Sequence, residues 1–395
     1  MHNTTPDIII NERAMLASRL VGQRLVIPDM RPMFEHWPSG QHGDYADAKG
    51  AVDGRFMSSS EKHRRAITEA DPALLAARWW PTISSKTYSV MTDLTIWFGL
   101  WDDVVERMTD NAAAAEDFRL TTKEFIRRAL GLGSSSSSSE TTTADGIIMP
   151  GKGDDVDDDD KNRTKMMDPL IQSFQPIAAE AKAFYNHDQL QILLDHFDRY
   201  IDSTRLEHER ELSTDIPSLK DYWEVRILTS GMGTLLGLSE YALQVHLPPD
   251  FVRSEAYSTL WVTTVIINSV VNDLLSLRKE MKAKSVLNSV AILFHQYSGN
   301  LDLAVELSLS HLRQLIDLFD RTADAVLASP TSISDSESET ESESENESEN
   351  DRQAIRRVID LMRTVNTGNL AWSLQAKRYD IAQHLADDGV IDLIL

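Results

Sequence analysis

Four polar side chains recur at short spacing in the stretch "VVNDLLSLRKE" at 270–280: Asn272, Ser276, Lys279 and Glu280. On a helix, which turns by about 100° per residue, they lie within about 100° of one another on one side. An amide carbonyl, a hydroxyl and a carboxylate are oxygen ligands that Mg²⁺ accepts, and a lysine can hold an anion bound to the same metal. The stretch therefore predicts a metal site with an anionic ligand on one helix face.

A second group of acidic residues stands in "TIWFGLWDDVVERMTD" at 95–110, which carries Asp102, Asp103 and Glu106. On a helix Asp102 and Glu106 are one turn apart, with Phe98 on the same side and Trp101 pointing away. Neighbouring carboxylates repel each other, and their burial needs a cation. The pattern predicts a second metal-binding face, although an acidic pair at this spacing is also typical of a solvated helix end.

Length and composition indicate a large core, and the absence of cysteine is compatible with a reducing compartment. It has 395 residues, 42% of them hydrophobic, and no cysteine, which excludes disulfides and thiolate metal sites. The first residues lack a basic region followed by an apolar stretch, and no apolar run reaches about 18 residues. We therefore expect no secretory signal, no transmembrane span and a cytoplasmic location.

Two segments carry most of the negative charge. "DDVDDDD" at 154–160 has six acidic residues and 335–351 has nine; without these fifteen, the formal charge of −23 becomes −8. Low hydrophobicity and dense like charge are typical of disorder. We expect 133–164 and 330–352 to be disordered loops inserted into one domain that spans 1–395. The absence of a basic stripe argues against nucleic-acid binding.

The remaining chain has the apolar spacing of helices, for example "DQLQILLDHFDRYIDSTRLEHEREL" and "LDLAVELSLSHLRQLIDLFDRTADAVL". No series of alternating strands stands out, so the predicted fold class is all-α. Glycines at 231, 233 and 237 each cost about 1 kcal/mol in a helix interior. They predict a helix break near 231–233.

"DDVVE" and "NDLLSLRKE" together resemble the two metal motifs of class I terpene synthases, especially the fungal and bacterial sesquiterpene cyclases. That family has a diphosphate-sensing arginine about 46 residues before the second motif, and Arg226 lies 46 residues before Asn272. It also has an Arg-Tyr pair six residues after a tryptophan, as "WSLQAKRY" supplies with Trp372, Arg378 and Tyr379. The four matches keep the family's order and cover roughly residues 90–380.

The resemblance implies a single-domain helical bundle around a central apolar cavity, with three Mg²⁺ ions at its mouth. The first motif would hold two ions through Asp102, helped by Asp103 or Glu106. Asn272, Ser276 and Glu280 would hold the third. Diphosphate would be bound by Arg226, Lys279, Arg378 and Tyr379, and Phe98, Trp372 and Tyr222 would offer aromatic faces to a carbocation.

The function that the resemblance implies is ionisation of an acyclic prenyl diphosphate, followed by cyclisation of the carbocation. Farnesyl diphosphate, which would give a sesquiterpene hydrocarbon or alcohol, is preferred over the alternatives geranyl and geranylgeranyl diphosphate. No partner other than a prenyl diphosphate is expected, and the protein would be a monomer or homodimer. One alternative is a chain-elongating prenyltransferase of the same fold, which the Asn/Ser/Glu motif disfavours because those enzymes have two Asp-rich motifs. The other is a non-catalytic helical protein whose acidic tracts recruit basic partners.

Overall fold

The computed structural model describes residues 11–57, 61–108, 111–133, 168–328 and 341–395. This part of the chain is almost wholly helical, with two short strands and three short 3₁₀ helices, which agrees with the all-α prediction. The helices are α1 Glu12–Leu20, α2 Tyr45–Arg55, α3 Glu61–Ala70, α4 Pro72–Trp79, α5 Ser85–Glu106, α6 Ala112–Ala129, α7 Pro169–Gln172, α8 Gln175–Phe184, α9 His187–Leu212, α10 Leu219–Thr229, α11 Met232–Leu236, α12 Ser239–Leu243, α13 Pro249–Val252, α14 Glu255–Lys282, α15 Ser289–Gln296, α16 Leu301–Ala328 and α17 Glu341–Gln375. The 3₁₀ helices are Arg31–Phe34, Lys377–Tyr379 and Ala382–His384, and the strands are β1 Arg24–Ile27 and β2 Ile391–Ile394.

Side-chain caps define where the long helices begin. The hydroxyls of Ser84, Ser218 and Ser254 each accept a hydrogen bond from a backbone N–H in the first turn of α5, α10 and α14. Asn186 and Gln189 form a reciprocal capping box at the start of α9. Each cap satisfies backbone donors that the helix leaves unpaired at its N-terminus.

Helix α14 runs through the centre of the bundle and carries the predicted second motif. It packs mainly against α16 and α17, while α17 packs against α4, and α4 in turn packs against α5. Among the described helices, α14 is long and apolar enough to cross a membrane. However, 78% of its most apolar 18-residue stretch is buried inside the protein. Its apolar residues therefore form the core of the bundle.

The two ends of the described chain meet in a two-stranded antiparallel sheet that the sequence analysis did not predict. Arg24 pairs with Ile394 and Ile27 with Ile391 along the ladder. The Arg24 guanidinium also donates to both carboxylate oxygens of Asp392, at 2.8 and 2.5 Å. Four residues are too few to show a period-2 pattern, so the sequence carries no usable strand signal here.

The helix break expected near 231–233 is confirmed. Helix α10 ends at Thr229, Gly231 adopts a left-handed φ of +69°, and α11 begins at Met232. A Cβ at Gly231 would overlap the ring of Phe98. Glycine is needed here because of both the backbone angle and the close approach of that ring.

The first insertion predicted from composition, 133–164, lies outside the described residues apart from Gly133. The second, 330–352, lies outside them as far as residue 340. Residues 341–352 form the first turns of α17. Helix α17 thus begins within the second acidic tract.

We expect Gly231→Ala to lower the free energy of unfolding by more than about 1 kcal/mol, because it combines a disfavoured φ with a steric overlap. Urea denaturation followed by circular dichroism measures the change. Gly50→Ala is the matched control, because the position is helical and a Cβ there meets nothing within 4 Å. Equal stability of the two variants would contradict the proposed constraint.

Candidate active site

A cavity of about 570 Å³ opens between α5, α9, α10 and α14 and is also lined by the segment that follows α17. Apolar residues of α3, α4 and α11, among them Ile67, Leu75 and Leu235, contribute to its wall. All thirteen residues that the sequence analysis assigned to metal, diphosphate or carbocation line this one cavity: Phe98, Asp102, Asp103, Glu106, Tyr222, Arg226, Asn272, Ser276, Lys279, Glu280, Trp372, Arg378 and Tyr379.

The last turns of α5 form an acidic wall. Asp102 accepts a hydrogen bond of 2.8 Å from the Tyr200 hydroxyl, and Asp103 forms an ion pair of 3.3 Å with Arg107. Burial raises the pKa of Asp102, and burial together with the Asp102 carboxylate raises the pKa of Glu106 to about 7. Trp101 points away from the cavity and donates to Thr122 on α6, so the packing of this tryptophan turns the acids toward the cavity.

Helix α14 provides the opposite wall. Ser276 donates a hydrogen bond of 2.6 Å to Oε1 of Glu280, which is one turn further along the helix. The other Glu280 oxygen accepts one of 2.8 Å from Asn288, which also caps α15 and donates to the main-chain oxygen of Asp273. These bonds hold the hydroxyl and the carboxylate of the second motif next to each other.

Arg226 on α10 is tied to α14 by a buried network. Its Nη2 donates 2.7 Å to Oδ1 of Asn272 and lies 3.2 Å from Oδ1 of Asp273, whose side chain is 2% exposed. The other Asp273 oxygen accepts from the Tyr222 hydroxyl at 2.7 Å and from the Ser289 N–H at 3.1 Å. Burial alone would lower the pKa of Arg226, but Tyr222 and Asp273 raise it, so the guanidinium stays charged.

The C-terminal residues reach the same site from a third direction. The Asn272 amide donates 2.9 Å to the Tyr379 hydroxyl, and the ring of Tyr379 packs edge-on against Trp372 with 5.5 Å between centroids. Helix α17 ends at Gln375, between Trp372 and Arg378. The chain turns into a 3₁₀ helix after Gln375, and this turn lets both side chains line the cavity.

Positive charge faces the acidic wall. Burial lowers the pKa of Lys279, and Arg378 lowers it further, while Glu106 and Glu280 oppose the shift. Although burial alone would lower it, the pKa of Arg378 lies above its ordinary value because Tyr379 and the acids of the first motif are close. No ion pair within 4.0 Å joins either cation to an acid in the described ranges, so both charges are available to an anionic ligand.

Sequence reasoning missed three residues of the site. Asp273 and Asn288 hold the second motif and Arg226 in place, as described above. Glu207 on α9 lines the cavity, and burial followed by the Asp102 carboxylate raises its pKa to about 8. Thr204, Glu207 and Glu211 are three and four residues apart and line the cavity along one face of α9. This helical spacing could have indicated Glu207 from the sequence.

The side chains present fit a hard divalent cation. No three histidine, cysteine, aspartate or glutamate side chains in the described ranges are close enough to form a metal site alone. The second motif adds neutral oxygens, with Ser276 Oγ only 2.6 Å from Glu280 Oε1. Mg²⁺ bound by few protein oxygens usually completes its shell with water and with phosphate oxygens of a ligand.

A family model described as "Terpene synthase family 2, C-terminal metal binding" matches residues 93–317, more than half of the chain. The matched range contains the acidic wall of α5, the opposite wall of α14 and Arg226. It supports a divalent metal as cofactor.

Individual proteins agree with the family model. The chain is 27% identical to Sesquiterpene cyclase hepA of Aspergillus oryzae over 98% of both sequences, and 21% identical to Terpene cyclase braA of Annulohypoxylon truncatum over 94% of this chain and 90% of the relative. Among solved structures, germacradien-4-ol synthase from Streptomyces citricolor superposes with a TM-score of 0.62, 15% identity and coverage of 86% of this chain and 97% of that one. An α-eudesmol synthase superposes with a TM-score of 0.65 at 13% identity, covering 86% of this chain and 98% of that one. The structures share this chain's fold.

We expect the metal-free protein to lose stability as pH rises from about 4.5 to about 8, in part because of Glu207. The folded state, with the raised pKa, keeps the proton that the unfolded chain releases, so this stabilisation is complete below the unfolded pKa and lost as pH passes the folded one. In Glu207→Gln that loss is absent, and its thermal midpoint in EDTA should exceed that of the wild type at pH 8 but approach it at pH 5. Glu306→Gln, an exposed position on α16, is the control. Parallel pH profiles for Glu207→Gln and wild type would contradict the prediction.

Proposed function

The chain belongs to terpene synthase family 2, and on that premise we propose that it is a Mg²⁺-dependent cyclase that ionises farnesyl diphosphate, releases diphosphate and cyclises the carbocation to a sesquiterpene. Terpene synthases are lyases, and the relatives named above are called sesquiterpene and terpene cyclases. The metal, the substrate and the residue roles are our proposal.

The observation that carries the proposal is the position of Asn272 between Arg226 and Tyr379. Its amide accepts from the guanidinium at 2.7 Å and donates to the phenol at 2.9 Å. These three residues come from α10, α14 and the C-terminal segment, far apart in the chain, yet they form one polar rim. A rim of this kind presents donors from three sides to a single anionic group.

The diphosphate would bind against this rim. Arg226 is planar and permanently charged, and it presents a rigid fork to phosphate oxygens. Lys279 and Arg378 face the same space without an acidic partner within ion-pair distance in the described part of the chain. Their charges would be stronger in this partly buried cavity than in water, because the surroundings screen them less.

Mg²⁺ held between the two walls would neutralise the charge that develops on the departing diphosphate. We assign two ions to Asp102 with Asp103 or Glu106, and one to Asn272, Ser276 and Glu280. Asn272 would then exchange its bond from Arg226 for the metal, which frees the guanidinium for diphosphate. The raised pKa of Glu106, about 7, supports the assignment because crowded buried carboxylates are stabilised by a cation.

The rest of the cavity suits the hydrocarbon part of the substrate. Phe98 and Trp372 line it, together with aliphatic residues of α3, α4 and α11. Aromatic faces attract positive charge, and an apolar wall keeps water from trapping the cation early. Phe98 is fixed by Tyr200, 4.6 Å away between ring centroids, and by the close approach of Gly231.

Farnesyl diphosphate is our choice among prenyl diphosphates. The cavity of about 570 Å³ falls within the range of about 300–1,000 Å³ that is usual for small-molecule sites. The names of the curated relatives, which include several sesquiterpene synthases, support fifteen carbons.

We expect Asn272→Ala to reduce cyclic product from farnesyl diphosphate at least about 100-fold, because one substitution removes a metal oxygen and the link between Arg226 and Tyr379. Purified protein with Mg²⁺ is incubated with substrate, and hexane extracts are analysed by gas chromatography–mass spectrometry. Gln314→Ala, at an exposed position on α16, should retain wild-type yield. Circular dichroism verifies that both variants are folded, and an unchanged yield for Asn272→Ala would refute the metal assignment.

Metal dependence and reaction type are tested in the same assay. Product should disappear in EDTA and return with added Mg²⁺. Isopentenyl diphosphate added with farnesyl diphosphate should leave the product unchanged. Longer linear prenyl diphosphates in that mixture would instead favour a chain-elongating enzyme.

A further inference from the structure

We propose that Asp380 clamps the Arg378–Tyr379 segment to α14 and thereby positions Arg378 for diphosphate; this inference rests on the proposed function. Asp380 follows the pair directly and belongs to none of the recognised motifs. Its carboxylate Oδ2 lies 3.3 Å from Nη1 of Arg278 and 3.4 Å from Nζ of Lys282. Both partners stand on α14, the helix that carries the second metal motif.

The segment needs such a clamp because its own backbone gives it little support. Helix α17 ends at Gln375, and the chain continues through two 3₁₀ helices of three residues each. They are separated by Asp380, in a left-handed conformation with φ +55°, and Ile381. The side chain of Arg378 makes no hydrogen bond or ion pair within the described ranges. The place of its guanidinium therefore depends on the residues that follow it.

Two contacts with α14 fix those residues, and only one of them involves a residue assigned to metal. The first is the bond from Asn272 Nδ2 to the Tyr379 hydroxyl, made by the amide whose oxygen is assigned to metal. The second is the Asp380 clamp, on a different face of α14, since Arg278 is six residues and about 240° beyond Asn272. The clamp is therefore the contact that does not depend on a metal ligand.

The clamp is built from several partners. Arg278 Nη1 also donates to the main-chain oxygen of Asp380 at 3.4 Å and contacts Nε2 of His384. Gln383 Nε2 donates to the second Asp380 oxygen at 2.6 Å. Arg278 and Lys282 are four residues apart on α14, so they approach Asp380 from neighbouring turns. Asp380 thus joins the C-terminal segment to two turns of one rigid helix.

Asp380→Asn tests the clamp, because asparagine keeps the shape and tolerates the left-handed backbone while the charge is removed. We expect it to weaken Mg²⁺-dependent binding of inorganic pyrophosphate about fivefold, as the loss of a partly exposed ion pair predicts. Isothermal titration calorimetry measures the affinity. Asp387→Asn, an exposed acid in the same C-terminal segment, should bind as the wild type does.

A double-mutant cycle separates the clamp from general damage to the fold. Arg278→Gln should weaken pyrophosphate binding by no more than Asp380→Asn does, because Lys282 still pairs with Asp380. The double variant should bind about as weakly as Asp380→Asn alone, since Asp380→Asn already removes the ion pair with Arg278. Arg278→Gln also serves alone if Asp380→Asn does not fold. With farnesyl diphosphate, the KM should rise more than the kcat falls. The proposal would be overturned if the kcat of Asp380→Asn fell at constant KM, or if this variant bound pyrophosphate as tightly as the wild type. Fully additive effects of the two substitutions on pyrophosphate binding would also overturn it.

The same measurements distinguish the clamp from the proposed function. Wild-type protein that binds pyrophosphate with Mg²⁺ but makes no product from farnesyl diphosphate would refute the function. The pyrophosphate affinity of Asp380→Asn would then decide about the clamp. Wild-type protein that makes product, with Asp380→Asn binding pyrophosphate unchanged, would refute the clamp alone. Wild-type protein that binds no pyrophosphate in Mg²⁺ would overturn both.

Discussion

A carboxylate that is almost wholly buried needs a permanent positive charge within reach, and the site is organised around one such pair. Asp273, whose side chain is 2% exposed, lies 3.2 Å from Arg226 and receives hydrogen bonds from Tyr222 and Ser289. Removal of one partner from a pair of this kind leaves an uncompensated charge, which is strongly destabilising. The pair therefore fixes α10 and the start of α15 against α14. Asn272, the preceding residue, is then directed into the cavity.

The charges elsewhere in the cavity are arranged differently, because they are not neutralised internally. The acids of α5 face Lys279 and Arg378, but no ion pair within 4.0 Å joins the two groups in the described residues. Burial of unpaired like charges raises the pKa values of Asp102, Glu106 and Glu207. Shifted pKa values of this kind are common at functional sites, where a ligand supplies the missing charge. The site thus combines a rigid buried pair with a rim whose charges are available to a ligand.

The fold tolerates wide sequence change around these charges. Solved synthases at 13–16% identity superpose with TM-scores of 0.62–0.65. Helical bundles accept many apolar side chains of similar volume, so the core constrains sequence weakly. Polar residues that must meet across three elements are constrained by geometry instead. The short motifs therefore indicated the family from the sequence, and the family model over residues 93–317 then showed it.

The sequence by itself determined that the chain is helical and which residues form the two motifs at 102–106 and 272–280. It could do so because the helical period and the chemistry of a side chain are local properties. It also determined the break at Gly231, where three glycines stand within seven residues. Only the tertiary structure decided that Asn272 joins Arg226 to Tyr379, that Glu207 lines the same cavity, and that Asp380 lies against α14. Each of these contacts joins segments that are distant along the chain, and their partners are chosen by how the helices pack. The paired strands at the chain ends are the same case, since four-residue strands acquire their identity only from the partner across the ladder.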